Sequence, residues 1–166
     1  MDLKTFHDFL EYYEKVRGRT KLIIGKIPKE KIDWTYRAGK FSFADLIRHL
    51  AAIERMMHGE NALCRPSRYH GCGKELADGY EAILKFFDDT HAESMKIFFS
   101  LSEEDINKKC ITPGGSPITV WKWLRLMAEH EIHHRGQIYI YMNLLGEEVP
   151  ALYGLTSEQV AEKANR

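Results

Sequence analysis

A surplus of charge of either sign is absent from this chain. Its 166 residues carry 24 Lys+Arg against 24 Asp+Glu, a formal net charge of +0. Generic nucleic-acid binding needs extra Lys and Arg to displace counterions from phosphate, so that class of function is not expected. No tail of like charges offers a local exception. Long apolar runs are missing as well. Stretches such as Leu22-Ile23-Ile24 and Ile97-Phe98-Phe99 fall far short of the ~20 residues that span a bilayer, so no membrane partner is expected. The opening residues, Met1-Asp2-Leu3-Lys4-Thr5-Phe6-His7, place no apolar stretch behind a basic start, and no export signal is expected. Cysteine is scarce and odd in number (Cys64, Cys72, Cys110), which predicts reduced thiols in a cytoplasmic protein. Repeats, low-complexity tracts and Pro/Ser/Gly linkers are also lacking, so residues 1–166 read as a single domain.

What the chain does have is apolar content, 44% against 29% charged. A chain of this length should bury roughly 70% of its unfolded surface, enough for a core without staples. The apolar spacing is helical. Phe6, Phe9, Leu10, Tyr13, Val16 and then Ile23, Ile24 and Ile27 predict a first helix from about Asp2 to Lys26. Pro28 to Lys40 reads as an ordered connection. Ser42-Phe43-Ala44-Asp45 has the form of a capping box, followed by a second helix to about Asn61. A loop marked by Pro, Ser and Gly covers Cys64 to Lys74. Asp78-Gly79-Tyr80-Glu81 offers another capping box for a third helix ending near Ser100. A short helical turn is expected at Ser102-Glu103-Glu104-Asp105 and a break at Thr112–Pro117. After a brief extended piece at Ile118, Thr119 can cap a long fourth helix that stops at Leu145, before Gly146. A last short helix follows Thr156. With no convincing strand pattern, the fold class is all-α, a four-helix bundle with a short C-terminal helix.

The fourth helix contains His130-Glu131-Ile132-His133-His134-Arg135-Gly136-Gln137. His130 and His134, four apart, share one face, which continues through Trp123, Met127, Ile138 and Tyr141. Two histidines on a buried stripe are costly unless hydrogen-bonded or ligated, and their spacing lets both imidazoles meet one metal ion. Catalytic zinc commonly takes three protein ligands, and bundle ligands come from facing helices at similar depth. His49, in mid-helix beside Leu46 and Leu50, is the third candidate. The others read as structural or surface residues: His7 in a first turn, His58 near a helix end, His70 in a loop, His91 in a polar run, and His133 about 100° away from His134.

The literal string HExxH also matches the zinc metalloproteases. Against a protease stand the absent metzincin extension, the absence of a sheet to hold an extended peptide, and the small size. Glu131 reads instead as a solvated carboxylate beside Arg135 at i+4.

Phe41-Ser42-Phe43-Ala44-Asp45-Leu46-Ile47-Arg48-His49-Leu50, taken with Glu129 to Gln137, resembles the DinB-like superfamily, as does the ending Leu144-Leu145-Gly146, Pro150 and Leu152-Tyr153-Gly154. The likeness spans essentially the whole chain. It implies a four-helix bundle, a homodimer, and a divalent metal, zinc or nickel, on His49, His130 and His134. It also implies action on a small molecule with a low-molecular-weight thiol as co-substrate, since relatives include thiol transferases and a thiol-dependent isomerase.

Three neutral imidazoles would leave such an ion its full 2+ charge. Two chemistries follow: deprotonation of a thiol for transfer to a small electrophile, or activation of water by a hydrolase. A bundle that binds metal without catalysis is the third reading. Tyr141, on the ligand face, is a candidate proton or hydrogen-bond donor, although a core tyrosine is the plainer reading. Gln137 is a candidate partner for a ligand imidazole. Gly136 suggests close helix packing, while Trp121 and Trp123 read as core. Cys64 and Cys72, with His70 between them, match no common ligand spacing.

Overall fold

Polar caps and apolar stripes divide the chain into rods. A computed structural model describes residues 5–165. Helix α1 (Phe6–Ile24) starts at a Thr5–Asp8 capping box and buries Phe9, Leu10, Tyr13, Val16, Ile23 and Ile24 along one stripe. The expected start at Asp2 lies outside the described residues, and the helix ends at Ile24, before Lys26. A 3₁₀ turn at Lys29–Lys31 leads to α2 (Phe43–Ala52), which opens with the expected Ser42–Asp45 capping box. The rod does not end with α2. It runs on through a π-helical stretch, Ile53–Gly59, into a last turn, α3 (Glu60–Ala62). Helices α4 (Tyr80–Phe99), the short α5 (Glu103–Asn107), α6 (Val120–Leu145) and the short α7 (Ser157–Ala164) follow.

Three expectations are corrected. The third helix has no Asp78 capping box: its N-cap is Gly79, at φ 84, a conformation that glycine adopts without strain. Thr119 stands at the N-cap of α6, but its side chain makes no capping bond. The residues before α6 also form a small antiparallel hairpin, β1 (Lys109–Ile111) with β2 (Pro117–Thr119), where Cys110 faces Ile118. Only its second strand was foreshadowed, at Ile118. Strands this short display no readable alternation.

Helices α1 and α2 each pack on both α4 and α6, which closes a four-helix bundle. Its apolar interior falls into two clusters. One gathers Ile23, Phe43, Leu46, Ile47, Phe87 and Ile138; the other gathers Phe9, Leu10, Phe98, Leu124 and Met127. Each such side chain contributes ~1.5–3 kcal/mol by leaving water. Along every rod, the residues between the two clusters are polar and buried: Arg17 and Thr20, Glu54 and His58, Thr90 and Ser94, Glu131 and His134. The core is therefore two apolar halves with a polar layer across the middle. No helix among the described residues is long and apolar enough to cross a membrane.

Candidate metal centre

Helix α2 is held to the loop that follows it by Arg48, whose guanidinium is buried. Its Nε donates to the Cys72 carbonyl at 2.8 Å, its Nη1 to the Ala77 carbonyl at 3.0 Å, and its Nη2 to Asp45 at 2.6 Å. Asp45 in turn closes the α2 capping box. These bonds fix the loop across the rod one residue before His49.

His49, His130 and His134 converge. The His49 and His130 Nε2 atoms are 3.1 Å apart, those of His130 and His134 3.0 Å, and the nitrogens of the trio all lie within 4.8 Å of one another. The outward nitrogens of two rings are engaged: His49 Nδ1 with the Tyr69 hydroxyl at 2.8 Å, and His134 Nδ1 with Gln137 Oε1 at 2.7 Å. The amide oxygen of Gln137 only accepts, so His134 carries its proton on Nδ1 and presents a lone pair at Nε2. Burial, reinforced by the neighbouring His134, lowers His49 to about 4. Burial, then His134, His49 and His133, lowers His130 to about 3. Burial lowers His134 too, against the opposing hydrogen bond from Gln137. Near neutral pH the rings are uncharged, the form that ligates metals. Ring nitrogens 3.0–3.1 Å apart share either a proton or a cation. The spacing is also close to what bonds of ~2.0–2.1 Å to a shared ion require. The donor set therefore fits a divalent metal.

A cleft of about 540 Å³ opens beside this centre, walled by Tyr36, Lys40, Phe41, His134, Gln137 and Tyr141. Tyr141 is thus at the cleft, but its hydroxyl donates to the Phe41 carbonyl at 3.0 Å and its ring packs on Trp34 and Phe43. Gln137 stands where its spacing suggested. His133 is exposed on the outer face, beside Gln137 Nε2 at 3.3 Å, and His7 and His70 are exposed. Cys64, Cys72 and Cys110 form no disulfide. Trp121 and Trp123 pack on the second apolar cluster. A Cβ built on Gly136 meets nothing within 4 Å, so close helix packing does not explain that glycine.

Glu131 is the main correction. It is 1% exposed and does not pair with Arg135. Its Oε2 lies 2.9 Å from the Tyr13 hydroxyl and pairs with Arg17 Nη2 at 3.1 Å. Arg135 donates instead to the Val16 carbonyl at 3.2 Å and to the Tyr153 hydroxyl at 3.1 Å. Around Glu131 lies a buried charged group that sequence reasoning missed. Arg17 pairs with Glu54, Glu54 accepts from Tyr13 at 2.8 Å, and His91 Nδ1 meets Glu54 Oε1 at 2.9 Å. The Arg17 guanidinium also covers the Phe87 ring at 4.1 Å. Burial, then the Arg17 charge, lowers His91, and burial raises the Tyr13 phenol well above its ordinary value. His58, read as a helix-end residue, is also buried. It lies against Trp123 with ring centroids 4.6 Å apart, and burial followed by the nearby His130 lowers it to about 3. An arginine two residues from another in Arg17-Gly18-Arg19 carries no local sign of burial, so only the packed bundle identifies this group.

Residues 12–138 match the family model of the DinB superfamily. The uncharacterized protein YjoA of Bacillus subtilis (strain 168) is 20% identical over 147 residues, 87% of this chain and 94% of YjoA. The YjoA crystal structure, a DinB-like protein, superposes with a TM-score of 0.71 at 18% identity, over 90% of this chain and 99% of that one. YfiT from Bacillus subtilis, described as a probable metal-dependent hydrolase with an unusual four-helix bundle topology, gives 0.70 at 17% identity over 89% and 91% of the two chains. The mycothiol-dependent maleylpyruvate isomerase gives 0.54 at 18% identity, covering 90% of this chain and 68% of that enzyme.

Proposed function

The chain belongs to the DinB superfamily, and on that footing we propose that it is a divalent-metal-dependent enzyme with His49, His130 and His134 as ligands. Zinc or nickel is the proposed ion, and a low-molecular-weight thiol the proposed co-substrate. The observation that carries the reading is the mutual approach of three uncharged Nε2 atoms, two of them on rings whose Nδ1 is engaged elsewhere. When bound, the ion supplies Lewis acidity to a sulfur or oxygen group placed in the cleft.

The remaining work falls to the chain. Tyr69 and Gln137 hold the His49 and His134 rings in the orientation that aims Nε2 inward. Phe41, Tyr36 and Tyr141 give the cleft aromatic walls that limit water, and Lys40 is its cation, suited to an anionic group on a small substrate. No carboxylate among the described residues lines this cleft, and the sequence candidate for a general base, Glu131, is committed to Arg17 and Tyr13. That favours thiol chemistry over hydrolysis. A thiol gives up its proton to solvent, its sulfur bonds to an electrophilic carbon, and the leaving group departs with the broken bond's electron pair. The likeness to a mycothiol-dependent isomerase supports the same choice, whereas the likeness to YfiT keeps hydrolysis as the second reading.

Elemental analysis of untagged protein tests the first step. The expected result is one zinc or nickel per chain, lost in His134→Ala. Protein that carries no divalent metal, or a variant that keeps it, overturns the proposal. Metal-dependent consumption of a small thiol with a small aryl halide would then support transfer, and ester or amide cleavage without thiol would move the assignment to hydrolysis.

A further inference from the structure

Away from the imidazoles, three arginines converge on one carboxylate. Glu60, on α3, is 3% exposed, and its Oε1 accepts from Arg55 Nη1 at 2.7 Å and Arg68 Nη2 at 2.6 Å. Arg65 Nη1 lies 3.8 Å from Oε2. One further carboxylate, Glu93, takes Arg55 Nε at 3.0 Å and is mostly in water. Three guanidiniums bring fifteen N–H donors, and these contacts use few of them. Ser67, one of the two residues between the loop arginines, adds another: its Oγ accepts from the Tyr69 N–H at 3.2 Å, which leaves its own proton free to donate.

The arrangement is also held in place without a ligand. The Arg65 N–H donates to the Glu60 carbonyl at 3.0 Å, Asn61 Nδ2 donates to the Arg65 carbonyl at 2.8 Å, and the Arg68 N–H donates to the Met56 carbonyl at 2.7 Å. Both ends of the Arg65–Arg68 segment are thereby pinned to the rod, with Pro66 fixing φ between them. The result is a cleft of about 420 Å³ walled by Arg55, Glu60, Arg65, Pro66, Ser67 and Arg68, where three guanidiniums, those of Arg65 and Arg68 mostly exposed, face one buried acid. In a chain with no net charge, this is a local excess of cation with the forked geometry that matches tetrahedral oxyanions.

We propose that this cradle binds a phosphate-class dianion, with Arg65 and Arg68 as the principal donors. It is a site separate from the three histidines and does not depend on the metal reading. A second cleft of about 730 Å³ shares Arg55 and Arg68 and adds the apolar walls Met56, Leu76 and Phe86. It also carries His70 and the carboxylates Glu75, Asp89 and Glu93, and these acids make its outer part repel a second anion. The dianion is therefore either free phosphate, held by the cradle alone, or the phosphoryl group of a small molecule whose body lies over Met56 and Phe86.

The test is a titration of the full-length protein with inorganic phosphate against sodium chloride at matched ionic strength, read by calorimetry and by Tm. Saturable binding specific to phosphate is expected. Arg65→Met, at an exposed side chain, removes only the 3.8 Å approach to Glu60, keeps its close pairs with Arg55 and Arg68, and should weaken phosphate binding about tenfold. Arg68→Lys keeps the charge but loses the fork, and should weaken it as well. Lys122→Met, on the outside of α6, should not change it. A simple aryl phosphate that binds more tightly than inorganic phosphate assigns the site to phosphorylated small molecules, and equal affinity assigns it to free phosphate. No saturable response beyond chloride, or affinity unchanged in both arginine variants, overturns the proposal. Metal content measured on the same samples should stay constant, which separates failure here from failure of the histidine centre.

Discussion

The same two rods build two very different polar sites in the middle of the bundle. The rod of α2 and α3 gives His49 to one and Glu54 to the other, and consecutive residues of α6, His130 and Glu131, are divided between them. The carboxylate site contains its own cation, Arg17, closed over by Phe87 and bonded to both acids. The histidine site has three donors turned toward one another and no cation of its own. Charge compensation is thus permanent in one site and left to an exchangeable partner in the other. A fold can tolerate polar groups across its core in either way, but only the second way leaves room for chemistry.

The contrast can be broken most forcefully at Arg17. Arg17→Met leaves Glu54 and Glu131 buried without their cation and should cost about 3–5 kcal/mol in urea unfolding. Adding Glu54→Gln and Glu131→Gln should recover much of it. A loss below about 1 kcal/mol would show that Arg17 is not the compensating charge.

Acid should weaken the protein through its histidines. His58 is held at about 3 and His49 at about 4 in the folded chain, below the ~6.5 of an unfolded histidine. Between those values the unfolded chain takes up protons that the folded chain refuses. Their contribution is complete above pH ~6.5 and declines as pH falls toward the folded values. For the enclosed His58 the slope is up to about 1.4 kcal/mol per pH unit, and it is smaller for the half-buried His49. Urea midpoints of metal-free protein from pH 7 to 4 should show the decline, and His58→Leu should flatten it. An unchanged slope in that variant would remove His58 from the account.

Tyr69→Phe sharpens the comparison at the histidine site alone. It removes the hydroxyl beside His49 Nδ1 and should lower metal affinity about 10- to 100-fold in a chelator competition, with little change in the stability of metal-free protein. The smallest effect is expected at Gly136, on the exposed side of α6 and away from both sites. Gly136→Ala should stabilise the fold by about 0.5–1 kcal/mol and leave metal content unchanged, because the new methyl meets nothing within 4 Å. Destabilisation in thermal melts would point to a partner for that face.

Helical spacing carried most of the architecture and the pairing of His130 with His134, because periodicity and i, i+4 geometry are local properties of a rod. His49 was reached only through the rule that bundle ligands sit on facing helices at similar depth. What escaped was set by neighbours distant in sequence. Glu131 has a plausible local partner in Arg135, yet its cation comes from α1, and Arg135 is drawn off to Val16 and Tyr153. His58 and His91 look peripheral until Trp123 covers the first and Tyr13 and Glu54 enclose the second. The hairpin escaped because three-residue strands lack a period, and the π-helical stretch because no residue type announces it.

That stretch, Ile53–Gly59, sets how the two halves of its rod are turned relative to one another. A wider turn advances less per residue around the axis than an α-turn does, so it acts as a phase adjuster between the His49 half of the rod and the part bearing Glu54, His58 and Glu60. A π-turn holds about one residue more than an α-turn. Winding the same residues as ordinary α-helix, with none removed, would therefore swing everything downstream by about 100°, whereas dropping one residue as it rewinds would keep the two halves nearly in phase. It is the extra residue together with the wider winding that keeps the two halves of the rod aimed at one another, and losing the winding alone would redirect one half of the molecule's polar equipment away from the other.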